Sequence, residues 1–252
     1  MTSRLDLQLK SLSLTKILAH YQEEAVKAAQ EKSSYEAYLA GLVEMEAMSK
    51  LERSINAKIQ KARFPALKTI EEFDFSFQPG LNEKEVIRLT SLDFVEKKEN
   101  LLFLGPPGVG KTHLATAFGV KACLAKYRVL FIHTQELLAD LHVAQKTGKL
   151  GQTLLTLSRL DLLIIDELGY LPIPPEQANL LFQLISVRYE KGAVVLTSNY
   201  GFEDWGPIFT DQVIAAAIID RLVHHSHIFV INGNSFRMKQ KLLPETAGKT
   251  SG

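Results

Sequence analysis

Apolar residues between positions 101 and 231 fall into five short runs, which are separated by longer mixed segments. The runs cover residues 101–104, 129–132, 162–165, 194–196 and 228–231. Runs of this length are typical of buried parallel strands, and the segments between them are long enough to be crossover helices. The pattern therefore predicts an α/β fold, in which helices cover both faces of a parallel five-stranded sheet.

Helices are predicted between these runs and before the first of them. They cover residues 82–100, 112–126, 135–145, 176–191 and 211–223. Pro172, Pro174 and Pro175 separate the third strand from the helix that follows it, because proline has no backbone N–H to donate.

The first 64 residues are predicted to be helical throughout. Ser11 or Ser13 is placed to cap one helix, and Ser33-Ser34 marks a break before the next. A further helix is predicted from about residue 39 to residue 64, because the residue before Pro65 disfavours helical dihedrals. Helical spacing gives it an apolar stripe formed by Met48, Leu51, Ile55, Ile59 and Ala62.

These differences in the pattern of apolar and polar residues divide the chain into four segments. Residues 1–64 are predicted to form a helical interaction domain, 65–81 a linker that packs on the core, 82–240 the α/β domain, and 241–252 a flexible tail. Phe73, Phe75 and Phe77 alternate along the linker, so they can share one side of an extended segment. Packing on the core is the preferred role for them, and covering the base of a bound nucleotide is the alternative.

The composition is that of a globular protein. Of the 252 residues, 46% are hydrophobic, which is enough for a substantial core. No segment has the length and apolar character of a membrane span, and the amino terminus lacks the form of a secretory signal. Cys123 is the single cysteine, which excludes an internal disulfide framework and a multi-cysteine metal site. The sequence indicates a cytosolic protein.

Positive charge is concentrated in two places, although the net charge is only +1. Positions 50 to 68 contain six basic residues and only one acidic residue, Glu52. A basic turn covers residues 146–149. Such a stretch is either a patch for nucleic acid or the solvated face of a helix, and charge alone does not decide. The DNA-binding candidates are Lys50, Arg53, Lys58, Lys61, Arg63, Lys146 and Lys149.

A glycine-rich loop, GPPGVGKT, lies between the first predicted strand and the helix after it. It matches the phosphate-loop pattern G-x-x-x-x-G-K-[ST] at every fixed position. The loop N–H groups and the positive end of the helix are predicted to hold phosphates, with Lys111 at the β- and γ-phosphates and Thr112 at Mg²⁺. The sequence thus predicts that ATP and Mg²⁺ bind here. The nucleotide-binding segment comprises Gly105, Pro106, Pro107, Gly108, Val109, Gly110, Lys111, Thr112 and His113.

Polar residues follow the third and fourth strands, at the sheet edge where parallel sheets bind ligands. Asp166 and Glu167 end the third strand. Asp166 is predicted to bind Mg²⁺ opposite Thr112, and Glu167 to take a proton from the attacking water. Asn199 ends the fourth strand and is predicted to orient that water, although turn geometry alone also favours asparagine there.

Arg221 and Arg237 follow these residues along the chain. An arginine in such a place can reach the γ-phosphate bound by a neighbouring subunit, as an arginine finger does. By residue type alone, both are ordinary surface arginines. His224, His225 and His227 are interpreted as strand-end histidines without an acidic partner, so no metal besides magnesium is predicted.

The succession GPPGVGKTHLA, LLIIDELGY, VVLTSN, DRLVHH and NSFR resembles the IstB-like ATP-binding proteins. These are helper ATPases encoded beside the transposase in one group of bacterial insertion sequences. The resemblance runs from about residue 12 to residue 237. Helicase loaders of the DnaC type share the same motifs, although some carry an amino-terminal cysteine cluster that this sequence lacks.

The resemblance implies an AAA+ ATPase without the usual carboxy-terminal helical lid. It implies that the protein oligomerises with ATP on duplex DNA, largely regardless of sequence, and that it remodels the DNA and recruits or stimulates a transposase. ATP hydrolysis would then reset the assembly in the bacterial cytosol. The resemblance also implies that Arg221 is the arginine finger and Arg237 the second sensor.

Two other functions stay open on the sequence. One is a DnaC-like loader of a replicative helicase, which would prefer single-stranded DNA. The other is a nucleotide-dependent scaffold that binds ATP and needs no DNA.

Overall fold

A computed structural model describes residues 3–233, 235 and 236. The chain divides into two compact units, Met1–Ala57 and Lys58–Gly252. No helix of the described part is both long enough and apolar enough to cross a membrane.

The first unit is helical. It contains α1 (Arg4–Ser11), α2 (Thr15–Gln30) and most of α3 (Tyr35–Ala62). A capping box between Ser3 and Asp6 begins α1, which sequence analysis did not predict. The break at Ser33-Ser34 is present, and Ser34 Oγ accepts a hydrogen bond from the Ala37 N–H.

The predicted serine cap of the second helix is wrong. The N-cap position of α2 is Leu14, which makes no side-chain cap bond, and Ser13 lies in a left-handed turn at φ 55°. Glu46 of α3 takes over this role, since its Oε2 accepts hydrogen bonds from the N–H groups of Lys16 (2.7 Å) and Ile17 (3.2 Å). A carboxylate at this end is also favoured by the helix dipole.

The apolar stripe predicted for α3 is packed only toward its carboxyl end, where Ala62 is buried and Ile59 packs against the same core cluster. Met48 is 58% exposed and Leu51 40% exposed, whereas Leu42, Glu46 and Ser49 are buried. Glu46 can be buried because it accepts two backbone N–H groups and pairs with Arg53 at 3.2 Å. The periodicity of apolar residues cannot predict that a charged residue with these partners is buried.

The second unit is built on a parallel sheet of five strands, as predicted. The strands are β1 (Asn100–Leu104), β2 (Val129–His133), β3 (Leu162–Leu168), β4 (Ala193–Ser198) and β5 (Ser226–Val230). Their order across the sheet is β2-β3-β4-β1-β5. The carboxyl ends of β1, β3 and β4 therefore lie side by side, which brings together the residues that follow these strands.

Helices cover both faces of the sheet, which is why the strands are apolar on both sides. The second unit's helices are α4 (Glu83–Leu89), α5 (Asp93–Glu96), α6 (Lys111–Leu124), α7 (Thr134–Lys146), α8 (Leu150–Ser158), α9 (Pro175–Arg188), α10 (Trp205–Phe209) and α11 (Gln212–Val223). One core cluster includes α6 and the short helices α4 and α5, and the other includes α7 to α11.

Two predictions need correction, and two helices were not predicted. The segment 82–100 is two short helices and not one, because Leu92 takes a left-handed conformation at φ 68° between them. Sequence analysis assigned no element to α8 or to α10. Residues Phe75–Phe77 form a 3-10 turn, so the linker phenylalanines do not alternate along an extended segment.

Candidate active site

The glycine loop lies between β1 and the amino end of α6, as the motif requires. Gly108 and Gly110 have φ values of 84° and 98°, which side-chain-bearing residues rarely adopt. A Cβ on Gly110 would also lie 2.5 Å from Cε2 of Phe73. The Phe236 N–H donates to the Gly108 carbonyl at 2.9 Å, so a later segment of the chain packs on the loop.

Lys111 is buried at the start of α6, and its ammonium group lies within the loop. Its Nζ donates to the carbonyls of Gly105 (2.6 Å) and Pro106 (2.8 Å) and to Oδ1 of Asn199 (2.8 Å). The contact with Asn199 joins the glycine loop to the end of β4. The structure therefore brings these two predicted site residues into direct contact.

Thr112 and Asp166 face each other across the site. The Thr112 hydroxyl lies 3.0 Å and 3.2 Å from the two carboxylate oxygens of Asp166, which is almost fully buried. Thr197 of β4 also binds this carboxylate, since its Oγ1 donates to Asp166 Oδ1 at 2.6 Å. The same Thr197 oxygen accepts the Glu167 N–H at 2.9 Å. One hydroxyl thus fixes both acidic residues at the end of β3.

Glu167 leaves the regular strand geometry. It has a φ of 61°, and the pairing of β3 with β4 shifts register between Ile165 and Leu168. This local distortion separates the two neighbouring carboxylates: Asp166 is buried, whereas the Glu167 side chain is 46% exposed and lines the cleft. His133 lies beside both, with Nδ1 3.5 Å from Asp166 Oδ2 and 3.9 Å from Glu167 Oε2.

Lys111, Thr112, Glu167, Thr197 and Asn199 all line an open cleft of about 420 Å³. One wall is the glycine loop with the first turn of α6, and another is formed by Glu167, Thr197 and Asn199 at the strand ends. The third wall comes from the segment 65–78. Its lining residues are Pro65, Ala66, Lys68, Glu72, Phe73, Asp74, Phe77 and Gln78.

The linker phenylalanines have different surroundings. The Phe73 ring lies edge-on to His113 at 5.4 Å and lines the cleft, as does Phe77. Phe75 packs against the core cluster that contains α6. His113, predicted to contact the nucleotide, also lines the cleft, and its Nε2 lies 2.8 Å from the Thr69 carbonyl. The preferred role, packing on the core, is therefore present in Phe73 and Phe75, whereas the covering of a nucleotide base stays a prediction.

Arg221 lies away from this cleft. It is near the carboxyl end of α11, and the carbonyl of the next residue, Leu222, accepts a hydrogen bond from the side chain of Asn100 at the start of β1. That position is beside the amino edge of the sheet, opposite the glycine loop. Arg237, the other predicted arginine, lies outside the described residues.

The interpretation that the three histidines lack acidic partners is wrong. His227 Nε2 lies 3.0 Å from Glu99 Oε2, and His225 Nε2 lies 3.5 Å from Glu190 Oε1. These acids are distant in sequence and only the fold brings them close. Glu190, His224 and His225 form an exposed group whose ligand atoms lie within 4.8 Å of one another.

The DNA-binding candidates fall into two groups, apart from Lys58, which is partly buried. Lys50 and Arg53 lie 4.0 Å and 3.2 Å from the buried Glu46, and Arg63 lies 3.4 Å from Glu136. Their charge is partly balanced within the fold. Lys61, Lys146 and Lys149 are exposed.

No role was predicted for Thr197 or His133, and Lys68 was counted only in the basic stretch, although all three lie at the site. Thr197 lies two residues before Asn199, which directly follows β4, so strand periodicity favours the same side for both and was an available signal. His133 directly follows the predicted second strand, at the same sheet edge. Lys68 had no comparable signal, because only the path of the linker brings it to the cleft.

Comparison with known proteins identifies relatives over nearly the whole chain. The sequence pattern of the family described as IstB-like ATP binding protein matches residues 7–244. A Pseudomonas aeruginosa protein named insertion sequence IS21 putative ATP-binding protein is 45% identical over 237 residues, which cover 94% of this chain and 89% of that protein. The IS5376 putative ATP-binding protein of Geobacillus stearothermophilus is 44% identical, over 86% of each chain.

Solved structures share the fold of the second unit's sheet and helices. AMPPCP-bound DnaA from Aquifex aeolicus has a TM-score of 0.57 at 19% identity, covering 74% of this chain and 58% of its own. The DnaC helicase loader has a TM-score of 0.52 at 21% identity, covering 69% of this chain and 98% of its own. At these identities the likeness shows the fold alone, which is an α/β fold with a parallel sheet, as the apolar runs predict.

Proposed function

This chain belongs to the family of IstB-like ATP-binding proteins, and on that premise we propose that it is the ATP-driven helper of an insertion-sequence transposase. It binds and hydrolyses ATP in the cleft, joins further copies of itself on duplex DNA, and recruits or stimulates its transposase. The observation that carries the proposal is the convergence of Lys111, the Thr112–Asp166 contact and Glu167 on one cleft. The insertion-sequence names of the relatives support the transposition part.

The cleft has the two chemical characters that a nucleotide requires. Its inner end offers Lys111 and the backbone N–H groups of the loop, which suit phosphate oxygens. Its outer part contains the aromatic rings of Phe73, Phe77 and His113, which suit a flat base. We assign the base to this aromatic wall, and that makes the linker a part of the nucleotide site.

Thr112 and Asp166 fit a magnesium ion. The Thr112 hydroxyl oxygen lies 3.0 Å and 3.2 Å from the two carboxylate oxygens of Asp166, and the Thr197 hydroxyl binds the same carboxylate. Mg²⁺ prefers oxygen ligands and usually keeps several of its waters, so the threonine hydroxyl and one carboxylate are the protein ligands expected here. When bound, the ion neutralises charge that develops on the phosphates.

Glu167 is assigned as the general base. Its carboxylate is exposed to the cleft, while its backbone is fixed by Thr197. It accepts a proton from the water that attacks the terminal phosphorus, and the bond to the leaving ADP oxygen breaks. Asn199, held by Lys111, is placed to orient that water.

Arg221 is assigned to a neighbouring copy's site. It does not line the cleft of its own chain, which opens at the opposite sheet edge. If Arg221 stabilises the charge of the transition state, it must do so in another subunit. Hydrolysis then depends on assembly, which explains how bound DNA could stimulate it.

Contacts with DNA are assigned to the exposed lysines Lys61, Lys146 and Lys149 rather than to Lys50 and Arg53, which pair with Glu46. Lysines that meet phosphates give binding without base recognition. We therefore expect affinity for duplex DNA to fall steeply with salt and to vary little with sequence.

Two substitutions test the hydrolysis part of the proposal. Lys111→Ala should abolish ATP binding, because it removes the cation of the loop. Glu167→Gln keeps the shape of the site and should bind ATP, fail to hydrolyse it, and trap the assembly on DNA. Glu203→Gln, at an exposed position after β4, is the control and should hydrolyse ATP normally. Hydrolysis by Glu167→Gln at the unmutated rate would show that the base is another residue.

A further inference from the structure

Arg221 rests on an aromatic ring. Its guanidinium carbon lies 4.7 Å from the ring centroid of Phe182, which belongs to α9. Its Nη1 donates to the carbonyl of Ala217, one turn earlier in α11, at 3.0 Å. The ring below and the carbonyl behind fix both the place and the tilt of the guanidinium plane.

The partners of Arg221 are unusual for a half-buried arginine. Among the ion pairs of the described residues, none joins Arg221 to a carboxylate, although Asp220 is its neighbour in the chain. The described hydrogen bond of its side chain involves Nη1, and its acceptor is a neutral carbonyl. A ring and a carbonyl orient the cation without neutralising it, so its charge stays available to an external anion.

An unsupported arginine side chain samples many rotamers, and ordering them would reduce the energy gained on meeting a phosphate. Phe182 limits this loss because its partly buried ring packs against the core cluster on that face of the sheet. Leucine at position 182 would keep apolar packing and remove the ring face. Tyrosine would keep the ring.

We propose that Phe182 is a positioning residue, which holds Arg221 ready for the terminal phosphate of a nucleotide bound by another copy of this chain. The inference rests on the proposed function, since it assumes that Arg221 acts in a neighbour. Phe182 is not among the residues that line the cleft. It acts through the orientation of the guanidinium group.

A mixing experiment separates this role from ordinary packing. Lys111→Ala provides Arg221 but has no functional cleft, and Arg221→Ala provides a cleft but no arginine. We expect each variant alone to be inactive, and the mixture to recover ATP hydrolysis on duplex DNA. Phe182→Leu is then added to one variant at a time. Added to the Lys111→Ala chain it should lower the recovered rate about tenfold, which corresponds to about 1.4 kcal/mol. Added to the Arg221→Ala chain it should change nothing.

The control variants and the remaining outcomes distinguish failure of the inference about Phe182 from failure of the role proposed for Arg221. Phe182→Tyr in the Lys111→Ala chain should keep the recovered rate, and Phe202→Leu, another partly buried ring on that face, should have no donor-specific effect. If Phe182→Leu acts equally from both chains, or from neither, the inference is wrong while the proposed function stands. If Arg221→Ala alone hydrolyses ATP normally, the role of Arg221 in the neighbour fails first, and the inference fails with it.

Discussion

Thr197 is predicted to be the main structural support of the acidic pair at the end of β3. Thr197→Val keeps the volume of this fully buried side chain and removes its hydroxyl. Two hydrogen bonds are lost, one to the Asp166 carboxylate at 2.6 Å and one from the Glu167 N–H at 2.9 Å. Because valine fills the same space, no cavity is created, and the effect should come from hydrogen bonding alone.

The magnitude follows from the two bonds. A hydrogen bond to a charged group contributes about 1.5–3 kcal/mol, and one between neutral groups about 0.5–1.5 kcal/mol. Thr197→Val should therefore lower the free energy of unfolding of the nucleotide-free protein by about 3 kcal/mol. For a unit of this size that corresponds to a fall in Tm of about 6–12 °C.

Urea unfolding followed by tryptophan fluorescence measures this directly, because the chain's single tryptophan, Trp205, is buried in the second unit. Thr156→Val is the matched control. Its hydroxyl donates to a carbonyl of its own helix on an exposed face, so we expect a change within about 0.5 kcal/mol. A loss below about 1 kcal/mol for Thr197→Val would refute the conclusion that its hydroxyl supports the acidic pair.

Three further predictions concern side chains of the second unit, and the first two use the same unfolding signal. Arg188→Leu should cost about 3–5 kcal/mol, because it removes the three hydrogen bonds that the buried guanidinium donates to the carbonyls of Leu157, Leu160 and Ala193. The hydrogen bonds of Arg128 lower the pKa of Asp161 in the folded protein. The pair should therefore stabilise the fold at pH values above the unfolded-state pKa of this carboxyl, and this stabilisation should be lost as the pH falls through the lower folded-state pKa. In Asp161→Asn, the free energy of unfolding should depend less on pH in this acidic range. Burial raises the pKa of Cys123 to about 11, so its thiol should react with a disulfide reagent only at the rate of unfolding, and fast labelling of the native protein would contradict its burial.

The sheet and the glycine loop were predictable because their signals are local. Five apolar runs mark five strands, and the loop motif places Lys111 and Thr112 at the start of a helix. The edge at which ligands collect follows from parallel topology. Once Asp166 and Asn199 each follow a strand, their proximity needs no further information.

Other features depend on contacts between distant parts of the chain. Glu46 is buried because it caps a helix that begins about 30 residues earlier, and the sequence around residue 46 contains no pattern that indicates this. The stripe at Met48 and Leu51 has helical spacing but stays exposed. His225 and His227 have acidic partners only after folding. The ring beneath Arg221 comes from a different helix, so sequence spacing could not reveal it.

The proposed function requires that ATP assembles this protein on duplex DNA. The most direct test is light scattering of the purified protein with a non-hydrolysable ATP analogue, alone, with duplex DNA and with single-stranded DNA. We expect large assemblies only when both the analogue and duplex DNA are present, and none for Lys111→Ala. Assembly on single strands, or only after a helicase is added, would contradict the proposed function and favour a helicase loader.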